Sequence, residues 1–180
     1  MKKWIGILII CSAITAFVVD SFNWKVGPTT KASFVIGGPL GINVKGTIDV
    51  AKVDIDFNPD DIIKSSLYAK MIVNTINTNN GSRDKHLKTA DYFDATTYPE
   101  IVFKSTLITK QASGEFIATG NLSIKQITKK IEIPFTFKQQ NNTATFQGSF
   151  TIKRVDYGIG NKSMMMGNEV IINLNIFATK

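Results

Sequence analysis

From about Thr30 to the end of the chain, apolar side chains recur at every second position. A period of two belongs to extended chain, whose successive side chains point to opposite faces. The stretch KASFVIG sets Ala32, Phe34 and Ile36 on one face, and SLYAKMIVNTIN alternates Leu67, Ala69, Met71 and Val73 against Tyr68, Lys70 and Asn74. FIATGNLSI repeats the pattern with Phe116, Ala118, Leu122 and Ile124, and IEIPFTF with Ile131, Ile133, Phe135 and Phe137. TATFQGSFTIKRVD aligns Ala144, Phe146, Phe150 and Ile152, and VIINLNIFA aligns Val170, Ile172, Leu174 and Ile176. In VKGTIDVAKVDIDF the rhythm slips once. Val44, Ile48 and Val50 share a side, and after the Ala51-Lys52 step Val53, Ile55 and Phe57 resume it. Pro134 falls inside a run, where its missing N–H suits an edge or bulged position.

Such alternation predicts antiparallel strands with one dry face and one wet face. About eight or nine strands are counted, with hairpin loops at QASGE (111–115) and NNT (141–143). Two packed sheets or one closed barrel would both bury the dry faces, and periodicity alone does not separate them. Helical signals are short. NPDDIIKS offers Asn58 as a cap and Pro59 at the first helical position. SRDKHLKTADYFD interrupts the strands, with Ser82 and Thr89 as caps, and Tyr98-Pro99 ends it.

The first residues read differently. Lys2 and Lys3 precede Trp4–Val19, an uncharged stretch of 16 residues. A spanning helix needs about 20 residues, so the stretch fits a secretory signal better. Cutting after Ala16 would leave Ile14 at a position that prefers a smaller residue, and Cys11 follows Ile10, which does not suit lipidation. The reading is a signal peptide over 1–19, with an uncleaved anchor as the alternative, followed by one domain over 20–180. Location would be periplasmic or secreted. Losing residues 1–19 lowers the net charge from +7 to +5 and removes the one cysteine, Cys11. The domain then has no disulfide to lean on and rests on its core; hydrophobic residues make up 43% of the chain. The basic balance is either a solvated surface or an attraction to anionic surfaces such as lipid headgroups. No dense Lys/Arg block interleaved with aromatics is present, which speaks against nucleic acid as a partner.

The segment Asn77–Phe103 holds the one histidine, His86, beside Arg83, Asp84 and Lys85. One His and no cysteine in the domain do not supply the ligands of a typical metal site, and no cofactor is implied. The Met164-Met165-Met166 run has the chemistry for Cu(I), but such runs more often form flexible apolar loops. Catalysis by a hydrolase or isomerase centred on His86 would need a nucleophile and an orienting group beside it. Asp84, two residues away, would not face His86 on a helix. The other reading is a polar clamp that ties a loop to the rest of the fold through charge-assisted hydrogen bonds. A barrel of about eight strands has an interior just wide enough for side chains or one slender ligand.

SRDKHLKTADYFDATTYPEIVF, GNLSIKQITKKIEIPFTF and FTIKRVDYGIG resemble segments of the YceI-like family, secreted lipocalin-like proteins that bind polyisoprenoid lipids. SRDKHLKTADYFDATTYPEIVF carries the family's pattern at Arg83, Asp84, His86, Leu87, Asp91, Tyr92, Phe93, Asp94, Tyr98 and Pro99. GNLSIKQITKKIEIPFTF is similar to its Gly-x-Leu-x-Ile segment, and FTIKRVDYGIG to its Phe-x-Ile-x-Arg-x-Asp-aromatic-Gly segment. The resemblance spans roughly 22–180. It implies an all-β fold: an eight-stranded antiparallel lipocalin-like barrel with one or two short helices, holding a tunnel for a long apolar chain. It implies a non-enzymatic carrier or sequestering protein whose partner is an isoprenoid-type lipid, with contact to a membrane surface and an undefined oligomeric state. Phe34, Leu67, Met71, Phe103, Leu122, Phe135, Phe146, Phe150 and Leu174 would line the tunnel. Arg83, His86 and Arg154 would hold a polar end group, or Asp84 and Asp156 would neutralise those cations in a structural role. A module that binds other envelope proteins through the outer wall is a further alternative.

Overall fold

The computed structural model describes residues 22–27 and 30–180, so the signal expected over 1–19 lies outside the described residues. Nine strands form one antiparallel sheet. They are β1 (Asn23–Val26), β2 (Lys31–Gly37), β3 (Asn43–Asp56), β4 (Ser66–Ile72), β5 (Glu100–Lys110), β6 (Phe116–Ile124), β7 (Ile127–Gln140), β8 (Thr143–Lys153) and β9 (Glu169–Thr179). β2 and β4 to β8 each pair with two neighbours, β3 and β9 pair in addition with β1, and the pairing of β3 with β4 closes the ring. β1 and β2 lie between the same neighbours. Trp24 opposes Ile55 and Val26 opposes Ala178, while Ala32 opposes both Ile48 and Leu174. The two are pieces of one interrupted stave, so the wall is an eight-stranded barrel, as the resemblance implies. Closure removes sheet edges and leaves a narrow interior.

The phase slip in β3 is a β-bulge. Val50 opposes Met71 and Lys52 opposes Lys70, leaving Ala51 as the extra residue. Ile48 before it and Ile55 after it both stay buried. A second bulge, between Ser105 and Leu107, passes the inward face of β5 from Phe103 to Ile108 and turns Leu107 out. Pro134 opposes Ile117 of β6, and the ladder to β8 begins only at the next residue, Phe135. Its position is thus edge-like toward β8. The expected hairpins turn at 111–115 and 141–142, helped by left-handed backbone at Gly114 and Asn141.

The one α-helix among the described residues is α1 (Gly81–Leu87). Its N-cap is Asn80, whose Oδ1 accepts from the Arg83 N–H at 3.0 Å. Ser82, the expected cap, lies inside the helix. The helix expected after Asn58 shrinks to a turn in which the Asp60 N–H donates to Asn58 Oδ1 at 2.9 Å, followed by a 3-10 turn at Ile62–Lys64.

Strand directions sort the connections by end. Segments 38–42, 73–99, 125–126 and 154–168 gather at one end; the turns at 57–65, 111–115 and 141–142, with Phe22 and Lys180, gather at the other. The second end is solid. Phe57, fully buried, meets Phe116, Phe135, Phe137 and Phe146 at ring distances of 5.0, 5.5, 4.9 and 5.6 Å, all edge-on. Each such pair contributes about 0.5–1.5 kcal/mol beyond the area it buries. Trp24 covers the cluster, its Nε1–H donating to the Phe57 carbonyl at 3.0 Å, and the Lys180 ammonium lies 4.9 Å from its ring centre.

Candidate functional site

The inward residues change character along the barrel. Near the short turns they are aromatic and meet across the interior. Toward the long connections they are mostly aliphatic, as at Ile36, Val44, Ile48, Ile124, Ile152 and Ile172, with Phe34 and Phe150 among them, and they leave space between the walls. The result is a cavity of about 540 Å³, within the roughly 300–1,000 Å³ usual for small-molecule sites. Its walls come from β2, β3, β8 and β9 on one side and β4 to β6 on the other. Its cap is α1, with Tyr92 and Phe93 from the segment behind it, and the 158–168 connection. Exposed His86, Ser163 and Met165 border it, so the cavity reaches the surface there.

Of the residues expected to form the site, Phe34, Met71, Leu122, Phe150, Arg83, His86 and Arg154 border this cavity. Leu67, Phe103, Phe135, Phe146 and Leu174 do not. Phe135 and Phe146 belong to the aromatic plug. Phe103 is buried in the wall, and Leu67 and Leu174 pack half-buried against the filled core. Rings meet across the short-turn end, whereas Phe34 and Phe150 toward the other end border open space. The aliphatic liners stood on the inward faces of the alternation, and their distance from the short turns was the signal that separates them from the plug.

The polar cap is organised by Thr78, which is 4% exposed and which sequence reasoning missed. Its hydroxyl donates to Asp84 Oδ1 at 2.6 Å and accepts from Arg83 Nε at 2.8 Å. Arg83 Nη2 donates to the Thr78 carbonyl at 2.8 Å, and the Thr78 N–H donates to Asp84 Oδ1 at 2.9 Å. Asp84 therefore serves Thr78 and makes no ion pair with Arg83. Arg154 is 3% exposed, and its guanidinium donates to three backbone carbonyls, those of Gly167, Ile159 and Asn161, each at 2.8 Å. Asp156 lies 3.5 Å from Lys129 rather than beside Arg154. The expected Asp–Arg neutralisation is thus replaced by carbonyl oxygens at Arg154 and by a threonine bridge at Arg83. Burial pushes the Tyr157 phenol up from its ordinary range, and the neighbouring Asp156 charge adds to the rise.

His86 is exposed, and its ring meets Tyr92 edge-on at 4.7 Å. Among the described residues its ring makes no hydrogen bond, and Asp84 is committed to Thr78. The described residues assemble no nucleophile–base–orienter arrangement around it. Among the described residues no three His, Cys, Asp or Glu side chains gather as metal ligands would.

Residues 24–178 match the family model of the YceI-like domain. The chain belongs to the YceI-like family. A UPF0312 protein of Vibrio parahaemolyticus is 27% identical over 139 residues, covering 74% of this chain and 71% of that one. The crystal structure of BcnA from Burkholderia cenocepacia superposes with a TM-score of 0.79 at 25% identity, covering 83% of this chain and 96% of that one. A polyisoprenoid-binding domain from Saccharophagus degradans, implicated in plant cell wall breakdown, has a TM-score of 0.63 at 11% identity. It covers 87% of this chain and 97% of the other, a likeness of fold. In this YceI-like chain the Arg83–Pro99 motif builds the cap of the cavity, and Arg154 braces the connection opposite.

Proposed function

We propose that this YceI-like barrel binds a long-chain isoprenoid-type lipid in its cavity and carries or sequesters it outside the cytoplasm, in the periplasm or after secretion. The observation that carries the reading is the half-hollow interior: an aliphatic cavity, closed at one end by aromatic rings and open beside a polar cap. Burying apolar chain there gains about 0.8 kcal/mol per CH₂, or roughly 4 kcal/mol per five-carbon unit before ordering costs. Polyisoprenoid chemistry is that of the Saccharophagus degradans neighbour, and it suits walls that offer methyl groups and few hydrogen-bonding partners. The Lys2-Lys3 start and the uncharged run to Val19 support export.

The test is mass spectrometry of an organic extract of protein purified from its native host. A chain lipid is expected at up to one per barrel. The Ile152→Trp variant, which fills the cavity from its wall, is expected to fold and to retain much less. Repeated lipid-free preparations, or equal retention by Ile152→Trp, would overturn the reading.

A further inference from the structure

Two connections at the open end expose apolar side chains that nothing in the barrel covers. At the tip of the β2–β3 hairpin Leu40 is 98% exposed and Ile42 67%; in the β8–β9 connection Met164 and Met165 are 105% and 64% exposed. These four are half of the eight large apolar side chains exposed among the described residues, so the distribution is a cluster and not scatter. The connections touch: the Gly167 N–H donates to the Gly37 carbonyl at 2.7 Å, and Met164 and Lys162 share a groove with Gly37 and Gly38. Leu40 keeps its position in left-handed backbone, φ 57°, a conformation that side-chain-bearing residues rarely adopt.

Charge supplies the second argument. Segments 37–45 and 158–168 contain Lys45 and Lys162 and no Asp or Glu. An apolar tip flanked by cations matches an anionic bilayer: hydrocarbon side chains enter the headgroup boundary while lysines meet lipid phosphates. Continuity supplies the third. Ser163, Met165 and Met166 of this connection, with Gly37 and Gly38, also border the cavity.

We infer that the Leu40–Ile42 tip and the Met164–Met165 connection dock the barrel on an anionic lipid bilayer with its cavity mouth toward the membrane. A lipid would then pass between bilayer and barrel without crossing water. The docking rests on the lipid-carrier reading for its purpose, though not for its physics.

The experiment is hydrogen-exchange mass spectrometry on the full chain, with phosphatidylcholine vesicles containing or lacking phosphatidylglycerol. Exchange is expected to slow within 37–45 and 161–168 with the anionic vesicles, and to stay unchanged at 111–115 and 141–142 on the far end. Added salt should weaken the effect. The Leu40→Ser/Met164→Ser double variant should lose about tenfold or more of the partition that protects the loops. Unchanged exchange in both loops, or equal protection in the double variant, would overturn the docking. So would protection that appears without vesicles as protein concentration rises, together with a doubled sedimentation mass, because a second copy would then be the occupant. Extracts of the same samples keep the two readings apart. Protected loops on lipid-free protein leave docking standing and the carrier fallen; lipid-loaded protein with unprotected loops gives the reverse.

Discussion

Arg154 is a buried cation whose partners are all carbonyl oxygens. Removing a charge from water is costly unless hydrogen bonds replace the lost hydration. A planar guanidinium can reach Gly167, Ile159 and Asn161 at once, and a single ammonium cannot. Arg154→Met should therefore lower unfolding free energy by roughly 3–5 kcal/mol, and Arg154→Lys should recover only part of that. Urea unfolding followed by circular dichroism measures both; a Lys variant as stable as the natural protein would refute the three-carbonyl clamp. The family motif singled out Arg154, but not its partners. Carbonyl acceptors leave no mark in a sequence, and the tempting pair, Asp156, is drawn off by Lys129. Thr78 escaped notice for a related reason. A lone threonine between two asparagines looks like loop, and its bridge between Asp84 and Arg83 exists only once the helix has turned.

At the scale of elements, the β5 bulge and Gly120 are matched. The slip at Ala51-Lys52 was legible because Val50 and Val53 sit three apart with charged neighbours beyond. The bulge in β5 was not, since Leu107 and Ile108 are adjacent and either could face inward. That bulge presses β5 onto β6 at Gly120, opposite Ser105. A Cβ at Gly120 would stand 2.7 Å from both the Ser105 Cα and the Phe103 ring, and would meet the Lys104 carbonyl oxygen closer still. Backbone cannot swing aside as a side chain does. Gly120→Ala is expected to cost about 2 kcal/mol or more. Gly81→Ala, where a Cβ meets nothing within 4 Å, is expected to be neutral or slightly stabilising. Thermal denaturation of the pair tests this, and equal midpoints would dispose of the matched-bulge account.

At the scale of the molecule, one interior serves two purposes, solid at the short-turn end and hollow at the other. Strand number and closure were readable from alternation plus the family motif. The division of the interior was not, because period two says which residues point inward and nothing about which of them meet. Phe57 and Phe150 expose the difference. Both face inward, but Phe57 touches four other rings while Phe150 borders the cavity. Truncating Phe57 opens a void in packed surroundings and should cost about 3–5 kcal/mol. Truncating Phe150 enlarges a space already present, so its lost contacts are fewer and the cost should be nearer about 1–2 kcal/mol. The order should invert for ligand: Phe57→Ala, if folded at low temperature, keeps its lipid, whereas Phe150→Ala loses wall contact and retains less. Denaturant midpoints on lipid-stripped protein and lipid-to-protein ratios on native preparations read the two orders separately. Equal destabilisation of the stripped variants would mean that Phe150 is packed as tightly as Phe57, and an interior filled at both ends has no room for a hydrocarbon chain.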